Sequence, residues 1–194
     1  MLVTTLNKIK KHNPCEGGWK TLLRYLEKTK SDDEPLAFLT ILESNGFDDA
    51  LWCIKSAPEY EKEWRLFAVF CARQVQHLIT DERSISSLDI AEKYTNGEAT
   101  KDELNAAMDA AWDASSAASS AAARDAASAA ASAAAWDAAR DAAWDAARAA
   151  ASAAAWDAAS AAARSAEMAA ARDAAKAAAR DAQKEQFIKV IIGE

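Results

Sequence analysis

Before residue 100, apolar side chains recur every three or four positions, which is the spacing of one helical face. Turn and helix-end signals divide this part into short segments, at Asn13-Pro14, Gly17-Gly18, Ser31–Pro35, Asn45-Gly46, Ser56–Pro58 and Asn96-Gly97. We expect Pro35 near the start of one helix and Asp48 as the cap of another. Residues 60–79 are apolar around most of a helical circumference and predict a central helix. No segment shows sustained alternation with β-branched residues, so no sheet is predicted.

After residue 100 the pattern changes to a repeat of four residues. Thr100 and Glu103 have the spacing of a capping box, which predicts a helix start. Between residues 106 and 182 every Trp, Arg and Met stands at a position divisible by four, and every Asp stands one position later. The remaining positions are nearly all Ala, the best helix former, and no Gly or Pro interrupts them before Gly193. The whole tract is therefore predicted to be helical.

The shape of this tract has two solutions. Four residues turn about 400°, so the stripe of large side chains drifts about 40° per repeat around a straight helix. A repeat longer than 3.6 residues favours right-handed supercoiling of one long curved helix. Alternatively, the tract is broken into shorter helices that cross one another through their alanine faces. The absence of turn residues favours the long, superhelical form. Ser115-Ser116 and Ser119-Ser120 are the weakest points of such a helix.

Composition divides the chain near residue 100, because 45 of its 52 alanines lie between Ala106 and Ala182. We therefore predict an all-α protein with two domains, a compact helical domain (1–99) and an alanine-rich helical region (100–194). The segment Gln186–Ile192 is again strongly apolar. It is expected to dock onto the N-terminal core or onto a second subunit, and in the latter case the protein is a homodimer.

Charge and cysteine content exclude several classes of protein. The formal net charge is −7, and neither region has the excess of Lys and Arg that nucleic-acid binding requires. Charged residues recur through the alanine tract, so no membrane span is expected, and the N-terminal sequence has no segment typical of a signal peptide. Three widely spaced cysteines and two histidines argue against a zinc site. We expect a cytoplasmic protein with reduced cysteines, no metal and no cofactor.

One candidate site lies in the predicted central helix, where Arg73 and His77 are four residues apart and Cys71 is nearby. A Cys/His nucleophilic pair needs contact between the two side chains, but residues six apart point in different directions. We interpret the pair as a core histidine and an apolar cysteine, and keep Arg73 and His77 as candidate binding residues. The neighbouring carboxylates Asp48 and Asp49 are explained more simply by helix capping, so no catalytic residue is assigned.

The best binding candidates are the Trp and Arg residues of the tract. Trp136, Arg140, Trp144 and Arg148 follow one another at four-residue intervals, and Trp156 lies two intervals further on. Indoles stack on nucleobases and guanidinium groups bind phosphate, so this ladder predicts a groove for a nucleotide-like anion. In the alternative interpretation the indoles fill gaps between alanine-faced helices and the charged side chains are solvated.

The segment from Asp32 to Thr100 resembles the alanine-rich immunity-protein family found in bacteria, phages and prophages. The resemblance lies in the runs Asp48–Cys53, Arg65–Leu78, Asp81–Ser84, Ala91–Tyr94 and Gly97–Thr100, and the Ala/Trp/Asp/Arg tract extends it. It brings no catalytic residues. It implies a protein that neutralises a toxin or a defence effector by binding.

Three hypotheses about function follow. The first is a non-enzymatic immunity or counter-defence protein whose partner is a toxin or defence effector protein. The second is a small-molecule binder that sequesters a nucleotide signal through the Trp/Arg ladder. The third is a structural or oligomerisation module built on the tract.

Overall fold

The computed structural model describes residues 1–117, 121–134, 148–157 and 168–194. Helix accounts for 77% of the structure and there is almost no strand, so the predicted all-α fold is confirmed. The helices are α1 (Leu6–Lys10), α2 (Glu16–Tyr25), α3 (Phe38–Asn45), α4 (Phe47–Cys53), α5 (Glu61–Arg73), α6 (Glu82–Thr95), α7 (Lys101–Ala117), α8 (Ala121–Ala134), α9 (148–157) and α10 (Met168–Ile192). Single 3-10 turns occupy Ile54–Ser56, Pro58–Tyr60 and Gln76–Leu78.

Two very short strands accompany these helices. Strand β1 (Val3–Thr4) pairs antiparallel with β2 (Leu36–Ala37). The prediction that the chain contains no sheet is therefore wrong in this detail. Strands of two residues are too short to show the alternation of apolar and polar side chains from which a strand is predicted. Their pairing also joins segments that lie far apart along the chain.

Helix starts follow the local sequence at one site and depart from it at another. The predicted capping box is present, because the Glu103 N–H donates to Thr100 Oγ1 (3.2 Å) and the Thr100 N–H donates to Glu103 Oε2 (2.7 Å). Asp48 is not the cap of α4, which begins at Phe47 after Gly46 with a φ of 85°. Asp48 lies in the first turn, where its charge still favours the positive end of the helix.

Two predicted helix boundaries also move. Strand β2 follows Pro35, so the next helix begins only at Phe38. The central helix α5 ends at Arg73 instead of residue 79, and the turn Gln76–Leu78 follows it. Neither Gly nor Pro marks this end, which is why the apolar pattern continues past it.

Contacts divide the described residues into two compact units, and the first consists of Met1–Glu61 with Lys184–Glu194. Phe187 lies edge-on to the rings of Phe38 and Phe47, with centroids 6.5 and 5.6 Å apart. The Leu2 N–H donates to the carbonyl of Ile191 (2.6 Å). The tail thus packs on the N-terminal core, the first of its two predicted sites. The core buries the large apolar side chains Leu6, Ile9, Phe38, Ile41, Leu51, Ile54, Phe187 and Ile191.

The second unit is Lys62–Gln183, in which α6, α7 and α8 pack on one another. Ser115 Oγ of α7 lies 2.9 Å from Ser128 Oγ of α8 and donates to the carbonyl of Arg124 (3.3 Å). Small side chains permit this close approach, and α7 and α8 bury the alanines 111, 114, 126, 127, 129, 130 and 131.

This packing bears on the two predicted shapes of the tract. Because α7 and α8 lie against each other, they are separate crossing helices and not parts of one continuous helix. The preference for a single long helix is therefore wrong for this part. Ser115 and Ser116 belong to the last described turn of α7, and Ser119 and Ser120 lie outside the described residues. A superhelical course of the whole tract is not confirmed.

The boundaries of the compact units differ from those of the domains predicted from composition. One reason is that α10 contributes residues to both units. Contacts and composition describe different properties of a chain, and the division at residue 99 stays a prediction. Within the described residues, the helices are all too short or too polar to cross a membrane.

Candidate anion-binding site

A cleft of about 230 Å³ lies between α9 and α10 in the second unit. It combines two cations, one carboxylate, one hydroxyl, a methyl group and an indole. The residues are Ser152, Ala155 and Trp156 of α9 with Arg172, Asp173 and Lys176 of α10.

Four of these residues occupy the same place in the four-residue repeat: Ser152, Trp156, Arg172 and Lys176 all stand at positions divisible by four. Residues four apart lie on one face of a helix, because a turn takes about 3.6 residues. The cleft therefore forms where the stripe of large side chains on α9 meets the corresponding stripe on α10.

The guanidinium of Arg172 lies over the indole of Trp156, with Cζ 4.7 Å from the ring centroid. A cation–π contact of this kind contributes roughly 0.5–1 kcal/mol at an exposed site. A guanidinium has five N–H donors, and those that do not face the ring stay available to a ligand. Arg172 can thus remain on the indole while it donates hydrogen bonds to an anion.

Lys176 lies one turn after Arg172 and adds a second positive charge, whereas Asp173 contributes a negative one. The lining residues that the structure describes therefore carry one net positive charge. The described lining residues lie within helical stretches, where backbone N–H groups already bond to carbonyls four residues earlier. Ligand recognition therefore falls to the side chains, with the guanidinium, the ammonium and the Ser152 hydroxyl as donors.

Two indoles of the tract are open to solvent. Trp156 is 42% exposed and Trp112 on α7 is 44% exposed. The alternative interpretation, in which indoles fill gaps between helices, does not describe these two residues. An exposed indole beside two cations presents a surface on which a planar ligand can stack.

The predicted Trp/Arg ladder is only partly described. Trp136, Arg140 and Trp144 lie outside the described residues. Arg148 is exposed in the first described turn of α9 and is not among the residues that line the cleft. Of the five tract residues predicted to bind, Trp156 alone is placed in the cleft by the described part of the chain.

Arg73, another predicted binding residue, is engaged by its neighbours on α6. Its guanidinium contacts Asp89 (2.6 Å) and Glu92 (3.1 Å) and donates to Gln76 Oε1 (2.8 Å). Burial opposes the charged form, but the hydrogen bonds to Glu92 and Asp89 outweigh it and raise the pKa of Arg73. Through these contacts Arg73 links the end of α5 to α6.

His77 is not the core histidine that the sequence predicts. Because α5 ends at Arg73, His77 lies in the following turn with its side chain 62% exposed, and Nε2 is 3.6 Å from Asp157 Oδ2. Cys71 is buried, as predicted, and burial raises the pKa of its thiol. Cys71 is thus buried and His77 exposed, and the two form no nucleophilic pair. Asp157, which contacts His77, directly follows Trp156 in the sequence.

The remaining carboxylates near α4 have structural contacts. Asn45 Nδ2 donates both to Asp49 Oδ2 and to the carbonyl of Gly18, each at 2.8 Å. Across the described ranges, His, Cys, Asp and Glu form no group of three or more that could hold a metal ion.

Among the residues that line this candidate cleft, Trp156 is predicted from the sequence as a binding residue, but Ser152, Arg172, Asp173 and Lys176 are not. Arg172 and Lys176 obey the same repeat rule as the ladder, so the signal for them is present. What the repeat does not reveal is which distant units face each other, because every unit has the same alanine faces.

Comparisons with protein-family models, with curated proteins and with solved structures found no match. The resemblance to the immunity-protein family stays a prediction.

Proposed function

We propose that this protein binds a small organic anion of the nucleotide type in the cleft between α9 and α10, and that it holds this ligand without converting it. The observation that carries the proposal is the stack of Arg172 on Trp156 beside Lys176. An indole, a guanidinium and an ammonium in one cleft match a planar ring that bears a phosphate.

The lining supports binding more than catalysis. Its described residues include a hydroxyl and a carboxylate but neither an imidazole nor a thiol. Nucleophilic and general acid–base mechanisms at neutral pH most often rely on one of those groups.

This proposal also gives a mechanism to the predicted immunity or counter-defence role. A protein that removes a nucleotide signal can silence an effector that depends on that signal, without contacting the effector. Direct binding of a toxin or defence effector protein stays the other hypothesis. A homodimer and a cytoplasmic location likewise stay predictions.

Ligand titration of matched variants tests the proposal. Hydrogen bonds to charged groups contribute about 1.5–3 kcal/mol, so Arg172→Gln should weaken nucleotide binding about 10- to 100-fold in isothermal titration calorimetry. Arg124→Gln is the matched control, since Arg124 is an exposed arginine of α8 at the same place in the repeat and outside the cleft. It should bind like the original protein.

Tryptophan fluorescence supplies an independent measurement. Nucleotide addition should change the emission of the protein and of Trp112→Phe, but not that of Trp156→Phe, because Trp156 is the one indole among the described residues that line the cleft. Unchanged affinity in Arg172→Gln together with a retained signal in Trp156→Phe would refute the proposed site.

A further inference from the structure

We infer that the ligand of this cleft is a phosphodiester the size of one nucleotide, with a single negative charge, and not a nucleoside triphosphate. The inference rests on the proposed function, and it concerns how much charge and volume the cleft accommodates.

Charge is the first argument. Arg172 and Lys176 are balanced in part by Asp173, which leaves one net positive charge among the described residues that line the cleft. A phosphodiester carries one negative charge and would be neutralised there. A triphosphate carries about four, so its outer phosphates would lie near Asp173 without a compensating cation.

The donor set is the second argument. Sites for triphosphates surround the phosphates with backbone N–H groups of glycine-rich loops and helix starts. Between Gly97 and Gly193 the sequence has no glycine, and the backbone N–H groups at the cleft belong to helical hydrogen bonding. The fork of Arg172 can hold two oxygens of one phosphate, and Lys176 can donate to the same group. These donors suit a single phosphate.

Size is the third argument. A cleft of about 230 Å³ is smaller than the pockets of about 300–1,000 Å³ that enclose drug-sized ligands. It has room for one planar ring and one anionic group beside Trp156. The second base of a dinucleotide would extend outside the cleft.

Calorimetric titration of the full chain with four probes at constant ionic strength tests the inference. The probes are a 3′,5′-cyclic mononucleotide, a linear dinucleoside monophosphate, a nucleoside triphosphate and inorganic phosphate. We expect the two phosphodiesters to bind with similar affinity, and each about tenfold or more tighter than the triphosphate or phosphate. A triphosphate that binds as tightly as the cyclic nucleotide overturns the inference. If its binding also depends on Arg172, the proposed function stands. Failure of all four probes overturns both.

The variant Asp173→Asn isolates the charge argument. Removal of this carboxylate raises the net charge of the lining while the side-chain shape is kept. Triphosphate affinity should therefore rise about fivefold more than the affinity for the cyclic nucleotide. Asp181→Asn is the control, an exposed aspartate of the same helix outside the cleft, and should leave the ratio unchanged. An equal gain for both ligands in Asp173→Asn contradicts the charge argument.

Discussion

Asp81 shows how one residue combines a cap with a charge. It caps α6 by accepting from the N–H of Arg83, and its carboxylate also accepts from the guanidinium of Arg83. The side-chain hydrogen bond from Arg83, with the backbone one, lowers the pKa of Asp81 to about 2. The ionised carboxylate is therefore favoured in the folded chain relative to the unfolded one.

The corresponding prediction concerns pH. Because the folded pKa is depressed, the charge of Asp81 stabilises the fold above its unfolded pKa of about 3.9, and this contribution disappears as the pH falls through about 2. Asp81→Asn keeps the cap but removes the charge. Thermal melts should show this variant slightly less stable than the original protein at pH 7. The difference should vanish near pH 2, and a difference independent of pH would count against this account.

The surroundings of Trp156 and Arg172 in the fold are not determined by their residue types. The tract contains several Trp and Arg residues in one register, and every Trp there stands between an Ala and an Asp, as does Arg172. Trp112 and Trp156 have almost the same exposure, but only Trp156 lies under a guanidinium and beside a lysine. The candidate site is therefore a property of a pair of residues and not of the motif.

At the scale of elements, the four-residue repeat produces helices that pack through alanine. Where the structure describes their burial, the buried residues of α7 and α8 are alanines apart from Leu104 and Ser115, and Ser115 and Ser128 bridge the two helices. Alanines bury little area each, so the stability of such a contact depends on close packing along its length.

Enlarging one buried alanine tests this packing. Ala126 on α8 is fully buried, so Ala126→Leu should destabilise the protein by about 1–3 kcal/mol in urea denaturation. Leu and Ala have similar helix propensities, which leaves the packing as the cause. The control Ala174→Leu, at an exposed position of α10, should stay within about 0.5 kcal/mol of the original protein. Equal effects of the two substitutions would show that the α8 face is not tightly packed.

At the scale of the whole molecule, the two ends of the chain meet in one core. The last turns of α10 belong to the first compact unit, where Phe187 and Ile191 are fully buried. The apolar tail after a long polar and alanine-rich stretch is thus part of the N-terminal core.

Loss of this docking should be costly. Phe187→Ala should lower the free energy of unfolding by about 3–5 kcal/mol, because it removes a buried aromatic side chain. A double-mutant cycle with Phe47→Ala should show a coupling of about 0.5–1.5 kcal/mol from the edge-to-face contact. Lys189→Ala, exposed on the same helix, is the control. Additive effects at 47 and 187 would contradict the contact.

Several features follow from the sequence for local reasons. Alanine-rich repeats without Gly or Pro predict helix because helix propensity acts residue by residue, and the capping box between Thr100 and Glu103 forms because its partners are three residues apart. The early end of α5 is not predicted because no Gly or Pro marks it. The short strands are not predicted because they form by pairing between segments that are distant in the sequence.

The sequence by itself therefore determined that the chain is helical and that Trp, Arg and Asp share one register of the repeat. Only the tertiary structure decided that α7 and α8 cross, that Phe187 enters the N-terminal core and that Trp156 meets Arg172. The physical reason is degeneracy: repeats with identical alanine faces can pack in many pairings of similar local energy. The packing of the whole chain selects one of them, and with it the place where an indole and two cations form a cleft.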